Sequence, residues 1–420
     1  MEAKETISQM MSKVCITDQR MEGKVKYPLL PTIFAIIIAW CAGCNSCVMV
    51  ESYWKYNRAK LKELIEGFPE ADISHDTVNR IMRNIVFSEF HEFLTEFSRR
   101  LVETSPQLID IRRVLSLDGQ TPKAIEYDKR EPAFGKSPDD GRLYDRLYFV
   151  TLQDTTNGIS MGLDPVQDKE NENKACVRLL DLFDLSNATV TCDALNTQRS
   201  VAEKIIEKNG DYCMALKDNH KSLAKAVREG FGNPEYEEFK KEFKSEVEKG
   251  HGRIESRAVF ALPATVIKNR ILKDWAKDCN TLFMTVTESI NVKYGNSRAP
   301  EVRFFLSSLC FDTPDIAEFG YRCVREHWKI ENSLHYVLDM DFGQDHMQMK
   351  NRNLIKNIEL LNRISLNILR LVQPMLKKGS SIRMTRYAIN FDPSLALKGL
   401  AKYMLTEENA LTSFCNCLWL

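Results

Sequence analysis

No net charge is left over in this chain: 58 lysines and arginines face 58 aspartates and glutamates in 420 residues. That balance excludes a uniformly basic surface of the kind that grips nucleic acid, so any phosphate contact must come from local segregation of charge. Nothing at Met1 resembles a secretory signal, and twelve cysteines are too few for a disulfide scaffold. Several of them (Cys176, Cys192, Cys213, Cys310) lie in apolar runs, where free thiols behave as small hydrophobes. A reducing cytoplasm is the simplest compartment for such a chain. Cys41, Cys44 and Cys47 form a CxxCxxC run, but no fourth ligand is near, and a metal is not expected there. Long hydrophobic runs are scarce as well. The uncharged stretch of 23 residues from Pro28 to Val50 is broken by Pro31, Gly43, Asn45 and Ser46, and its dense apolar part, Ile33–Ala42, is too short to span a bilayer. A buried helix is expected there, with no membrane partner. Internal repeats and low-complexity tracts are absent.

What is present changes character along the chain. Residues 1–108 read as helical, with Ser74 or Asp76 capping a helix that places Val78, Ile81, Met82 and Ile85 on one face. Such helices suit a DNA-binding module or an ordinary bundle. From Arg113 short apolar runs take over: Val114–Leu117, Leu147–Leu152 and Ile159–Leu163, divided by Asp, Gly and Asn. A helix over 173–183, the strand Thr189–Cys192, a helix over 198–207, the strand Tyr212–Leu216 and a helix from Lys221 follow. Three consecutive strands and then alternating helix and strand match the ribonuclease-H-like order, an α/β fold with a mixed sheet.

The stretch Glu235–Lys249 is dense in charge and reads as a solvated helix or linker. Beyond it Ile254–Leu262, Leu282–Thr287 and Val302–Leu309 look like strands. A β-rich insertion over 236–312, separate from the central sheet, is therefore expected. The implied organisation is an N-terminal helical domain (1–108), a catalytic core in two parts (109–235 and 313–375) around that insertion, and a basic tail (376–420). Leu354–Leu371 is expected to be a final amphipathic helix. Between Leu360 and Leu405 eight basic residues (Arg363, Arg370, Lys377, Lys378, Arg383, Arg386, Lys398, Lys402) face one acid, Asp392. This stretch could neutralise phosphates or form a solvated helix face.

Three carboxylates carry the chemistry. Asp118 ends one apolar strand, Asp193 ends another, and Glu331 lies on a later helix within His327-Trp328-Lys329-Ile330-Glu331-Asn332-Ser333-Leu334-His335. Converged, they would form an oxygen-ligand site for Mg²⁺. Singly, each has a plain reading: a turn aspartate, a helix cap, a surface glutamate. His327, Glu331, His335 and Asp339 recur every four residues and so share one helical stripe. A His–Glu–His zinc site is the competing idea, disfavoured because the strand aspartates suit Mg²⁺. Lys217 at a strand end could bind phosphate as a point charge. Arg253, Glu255 and Arg257 share a strand face, where they could meet DNA or pair with one another.

Asp118-Gly119, Asp193-Ala194-Leu195-Asn196-Thr197-Gln198 and the Glu331 segment together resemble the signatures of DDE transposases from bacterial insertion sequences, in particular the H-repeat-associated group. Gly210-Asp211-Tyr212, Lys217-Asp218-Asn219, His251-Gly252-Arg253-Ile254-Glu255-Ser256-Arg257 and Ser74-His75-Asp76-Thr77 fit the same group, so the resemblance runs from about Tyr27 to Gln373. It implies that Asp118, Asp193 and Glu331 bind two Mg²⁺ (or Mn²⁺) ions, cut double-stranded DNA at element ends and join the freed 3′-hydroxyl to target DNA. It further implies a homo-oligomer on DNA in a bacterial, nucleoid-associated setting, with Lys217, Arg253, Arg257, Arg325, His327 and His335 as DNA contacts. The chain departs from related insertion-sequence enzymes at His327 (arginine there), Leu338 (lysine) and Gln120 (lysine). Arg325 is close enough to substitute for the missing arginine. Two alternatives stand beside this reading: a ribonuclease-H-like DNA nuclease, and a DNA-binding protein that has lost catalysis.

Overall fold

Strands formed by residues 159–165, 149–154, 113–120, 188–192 and 211–216 lie side by side in that order. These are β1 (Arg113–Gln120), β4 (Phe149–Asp154), β5 (Ile159–Pro165), β6 (Ala188–Cys192) and β7 (Asp211–Leu216). β2 (Glu126–Asp128) and β3 (Tyr144–Arg146) form a separate two-stranded ladder. β1 pairs antiparallel with β4 and parallel with β6, β4 pairs antiparallel with β5, and β6 pairs parallel with β7. This is the mixed sheet that the strand order of the sequence predicts. The computed structural model describes residues 14–103, 112–122, 126–128, 144–166, 170–250, 252–267, 278–293, 299–347 and 349–404, with single positions 11, 272, 275 and 297.

The sheet does not stop at β7. β8 (Lys241–Lys244), β9 (Glu248–Gly250), β10 (Arg253–Pro263), β11 (Thr281–Asn291) and β12 (Glu301–Ser307) continue it in the order β7-β12-β11-β10-β8, with β9 also on β10. Leu282–Thr287 therefore belongs to the same sheet as Val114–Leu117, and the expectation of a separate insertion over 236–312 is overturned. The physical reason lies at β7. Without β12 it would be an exposed edge strand with unpaired backbone groups. Phe304 to Ser307 pair antiparallel with Leu216 to Cys213, and Ser307 Oγ donates to Tyr212 O at 2.7 Å. The charged stretch before β10 is likewise no plain linker, since it contributes β8 and β9.

The helical N-terminal region comprises α1 (Leu29–Cys41), α2 (Cys47–Leu64), α3 (His75–Asn84) and α4 (Phe87–Glu103). Ser74 caps α3, its side chain accepting from Thr77 N at 3.3 Å. α1 is the buried helix expected from its apolar run, with Ile33 to Cys41 all inside the core. Among the described residues no helix is long and apolar enough to cross a membrane. α5 (Glu172–Asp181), α6 (Arg199–Glu207) and α7 (Lys221–Gly232) connect the middle strands. α8 (Ile316–Ile330) packs against β1 and β6 and also against β10 and β11, so one helix rests on both halves of the sheet. It runs on through a π-helical turn, Glu331–His335, into α9 (Tyr336–Met340).

α10 (Arg352–Val372) changes the reading of the basic stretch. It is amphipathic in sequence as expected, but its polar face is buried as well, packed by α1, α3, α4 and β5. Its polar side chains are spent on the interior: Asn357 donates to Met82 O and Ile85 O, and Asn367 to Ser160 O. Arg363 is fully buried and donates to Glu359 Oε2 at 2.7 Å and to Thr151 Oγ1 at 3.0 Å. Arg370 is half-buried, and it donates to Ser333 O. Two further helices follow, α11 (Ile382–Phe391) and α12 (Ser394–Met404), so residues 382–404 are packed helices and not a tail. Arg386 of α11 donates to Trp40 O and Cys44 O, satisfying carbonyls at the end of α1. Three of the eight cations expected to meet phosphate thus hold the core together. The remainder of the expected tail, 405–420, lies outside the described residues.

Candidate active site

Parallel pairing of β1 with β6 sets the site. Leu117 is in register with Cys192, so Asp118 and Asp193 sit at the same level, although Asp118 does not end its strand as expected: β1 runs on to Gln120 along β4, and only Asp193 follows a strand end. Carboxyl ends of neighbouring parallel strands are where open α/β sheets place their ligands. β6 stops there: Asp193 Oδ1 accepts from Asn196 N at 3.0 Å and turns the chain toward α6. Gly119 follows Asp118 for a steric reason. A Cβ at that position would collide with the Glu172 carboxylate and the Tyr148 hydroxyl.

Glu331 arrives from above the sheet. Short side chains, Ser116 and Thr191, line the contact beneath α8, their hydroxyls 3.1 Å apart. Buried Glu326 pins the helix to the β4–β5 turn by accepting from Thr155 Oγ1 at 3.1 Å and Thr156 Oγ1 at 3.2 Å. At Glu331 the helix widens: Tyr336 N donates to Glu331 O, an i→i+5 bond. Such π turns recur at functional sites. His335 is only 6% exposed. Its Nδ1 lies 3.3 Å from Glu331 Oε2 and 3.7 Å from Asp118 Oδ2.

The electrostatics follow from this crowding. Burial, then the charges of Glu331, Asp193 and Glu172, push the Asp118 carboxyl up to about 8. Glu331 moves the other way, chiefly because it is hydrogen-bonded to His335. Burial lowers His327 to about 4, so it is neutral, and its Nδ1 lies 3.2 Å from Thr191 Oγ1. A cation between these carboxylates would offset the burial and the repulsion that raise the Asp118 carboxyl, and the donor atoms suit one. Asp118, Glu331 and His335 each offer a ligand atom, all within 4.8 Å of one another.

Asp193 and His327 line the same cavity as Asp118 and Glu331, about 420 Å³ in volume, with Lys217 and Arg303 also in its wall. Three of the expected DNA contacts stand apart. Arg257 is held by Glu248 at 2.7 Å and by Glu255, which is the pairing alternative; Arg325 reaches Glu248 at 3.4 Å. Arg257 and Arg325 border a smaller hollow of about 160 Å³ that shares Glu301, Arg303, Val324 and Trp328 with the first, and Arg303 pairs with Glu301 at 2.6 Å. Arg253 is exposed at the start of β10. The zinc alternative is not formed, since His327 turns to Thr191 and only His335 joins Glu331. Among the described residues Cys41, Cys44 and Cys47 belong to no cluster of metal ligands.

Sequence reasoning missed Glu172 and Tyr148. Glu172 sits in the first turn of α5, accepts from Asn196 Nδ2 at 2.9 Å and is hydrogen-bonded to the Tyr148 hydroxyl. Burial raises its carboxyl, and Asp193 adds to the effect. The one signal was the glycine after Asp118, which announces a close approach without saying what approaches.

Comparison with known proteins gives the family of the chain. The family described as "Transposase DDE domain" matches residues 111–368, and the family "DDE_Tnp_1-associated" matches residues 14–98. "Putative transposase YncI" of Escherichia coli O157:H7 is 27% identical over 375 residues, covering 89% of this chain and 90% of the relative. "H repeat-associated putative transposase YhhI" of Escherichia coli is 27% identical over 362 residues, covering 84% and 88%. A solved piggyBac transposase synaptic complex with hairpin DNA aligns with 96% of this chain and 78% of its own, at 11% identity and a TM-score of 0.40. The chain belongs to the DDE transposase family, and its relatives include the H-repeat-associated group to which its motifs point.

Proposed function

We propose that this chain is a Mg²⁺-dependent transposase that cuts DNA at the ends of an insertion sequence and joins the freed 3′-hydroxyl ends to target DNA. The observation that carries the reading is the meeting of Asp118, Asp193 and Glu331 at one cavity, brought there by two parallel strands and a helix. Asp118, Asp193 and Glu331 would hold two Mg²⁺ (or Mn²⁺) ions, which when bound activate water and stabilise the leaving oxygen. Asp118 faces both other acids and is the carboxylate the two sites would share. His327, kept neutral and oriented by Thr191, can hydrogen-bond a phosphate oxygen, and exposed Lys217 can bind one as a point charge. Arg303 on the same wall extends this surface toward the hollow where Arg257 and Arg325 lie, with Arg253 further out.

Double-stranded DNA is the partner, both as element end and as target. The N-terminal helices supply recognition of the ends, and a homo-oligomer handles two ends together, in the bacterial cytoplasm at the nucleoid. The test uses a labelled element-end duplex, a supercoiled target plasmid and Mg²⁺. A nick exposing a 3′-hydroxyl followed by a joined product is expected. Nicks without joining would favour the nuclease reading; binding without nicking in Mg²⁺ or Mn²⁺ would favour a DNA-binding protein.

A further inference from the structure

His335 was expected among the DNA contacts, but its position serves a different purpose. At 6% exposure it is too enclosed for a phosphate to reach, while its Nδ1 faces Glu331 Oε2 at 3.3 Å and Asp118 Oδ2 at 3.7 Å. Octahedral ligands at about 2.1 Å from an ion lie about 3 Å apart when adjacent and about 4 Å apart when opposite. The two separations from His335 fall between these limits, and the ligand atoms of all three residues lie within 4.8 Å of one another, so one ion could touch all three after a small movement. The π turn contributes directly, because Glu331 and His335 are its first and last residues. His327, one turn earlier on α8, is engaged instead by Thr191.

We propose that His335 is the third protein ligand of the ion held by Asp118 and Glu331, so that this ion sees one imidazole and two carboxylates while the Asp118–Asp193 side sees oxygen alone. The inference rests on the metal-dependent reading above and deepens it. Imidazole favours transition metals, whereas Mg²⁺ prefers oxygen. The two positions therefore differ in metal preference, and the Glu331 position takes Mn²⁺ more tightly than Mg²⁺. The rival role for His335 is a protonated imidazolium that merely pairs with the two carboxylates.

Electron spin echo spectroscopy of Mn²⁺ added to the full-length protein separates these roles, because a directly bound imidazole gives a ¹⁴N modulation. The unmodified protein should show it, His327→Gln should keep it and His335→Gln should lose it. Mn²⁺ affinity, followed by the free-ion signal, should fall by on the order of tenfold in His335→Gln, and Mg²⁺ affinity by less. The spectrum of the unmodified protein decides the matter even if His335→Gln fails to fold. Bound Mn²⁺ without ¹⁴N modulation, or modulation that vanishes in His327→Gln and persists in His335→Gln, would overturn the assignment and leave the metal site standing. Absence of Mn²⁺ binding, or binding unchanged by Asp118→Asn, would overturn the metal-dependent reading along with it.

Discussion

The half of the sheet made by β5, β4, β1, β6 and β7 differs from the half made by β12, β11, β10 and β8 in what its residues can be asked to do. β4 and β6 are buried along their whole length and β6 pairs in parallel on both sides. β10 and β11 are antiparallel ribbons whose outer portions stay partly or fully exposed and carry Arg253, Glu255, Arg257 and Glu288. Burial on both faces fixes register, because a one-residue slip would turn every apolar side chain the wrong way. The first half can therefore hold Asp118 and Asp193 at one level. The second half has looser constraints and a surface of mixed charge, on which exposed Arg253 is the cation the proposed DNA contact would use. α8 lies across both and carries Glu331 from one to the other.

The sharpest way to break the comparison is to substitute the carboxylates of the first half. Asp118→Asn or Glu331→Gln should lower Mg²⁺-dependent nicking by on the order of 10³-fold, because the charge that holds the ions is lost. DNA affinity in a gel shift should be kept. Equal loss of binding would show that the two halves do not divide the work.

A second contrast separates cations by burial. Glu359→Gln leaves Arg363 buried without its charge partner and should cost about 3–5 kcal/mol in denaturant unfolding. Lys377→Gln, on an exposed residue of the same basic stretch, should change stability by less than about 0.5 kcal/mol. Equal effects would contradict the structural role given to Arg363.

These contrasts also show what the sequence made legible. The apolar runs Val114–Leu117 and Thr189–Cys192 were readable as strands because such runs bounded by turn residues leave few alternatives, although β1 continues past Asp118 to Gln120. The partner of a strand is another matter. Alternation placed Leu282–Thr287 in a β-structure but could not say that β12 would close the edge of β7. The basic stretch misled because counting began at Leu360, one residue beyond Glu359, the buried partner of Arg363. His335 was placed correctly on the stripe of Glu331, but a four-residue period does not tell which end of a stripe is enclosed. Glu172 and Tyr148 lie far from any motif, and only the folded chain brings them to Gly119.

The pH dependence of metal binding offers a third test. Asp118, faced by Glu331, Asp193, Glu172 and His335, is raised to about 8, so below that pH a bound ion must displace its proton. Mn²⁺ affinity should rise by about tenfold per pH unit up to about 8 and then level off. In the metal-free protein the sign is opposite for stability. Asp118 contributes fully below the ordinary carboxylate range, and its contribution is lost as pH rises through about 8. Asp118→Asn should flatten both profiles, seen by titration and by thermal melting; an unchanged profile would remove Asp118 from the site.

The smallest expected effect belongs to the second half. Arg253→Ala should weaken DNA binding modestly and reduce the slope of log affinity against log salt by about 1, with the nicking rate of bound DNA unchanged. Arg257→Ala should instead disturb the local strand, since Glu248 and Glu255 already hold that arginine. A full-sized salt effect from Arg257→Ala would mean that DNA displaces those acids.

The most direct measurement is anomalous scattering at the manganese edge from crystals of the protein with a duplex element end and Mn²⁺. Two peaks are expected, both touching Asp118, one completed by Asp193 and the other by Glu331. No peak in the cavity, or one whose protein ligands exclude Asp118, would contradict the site.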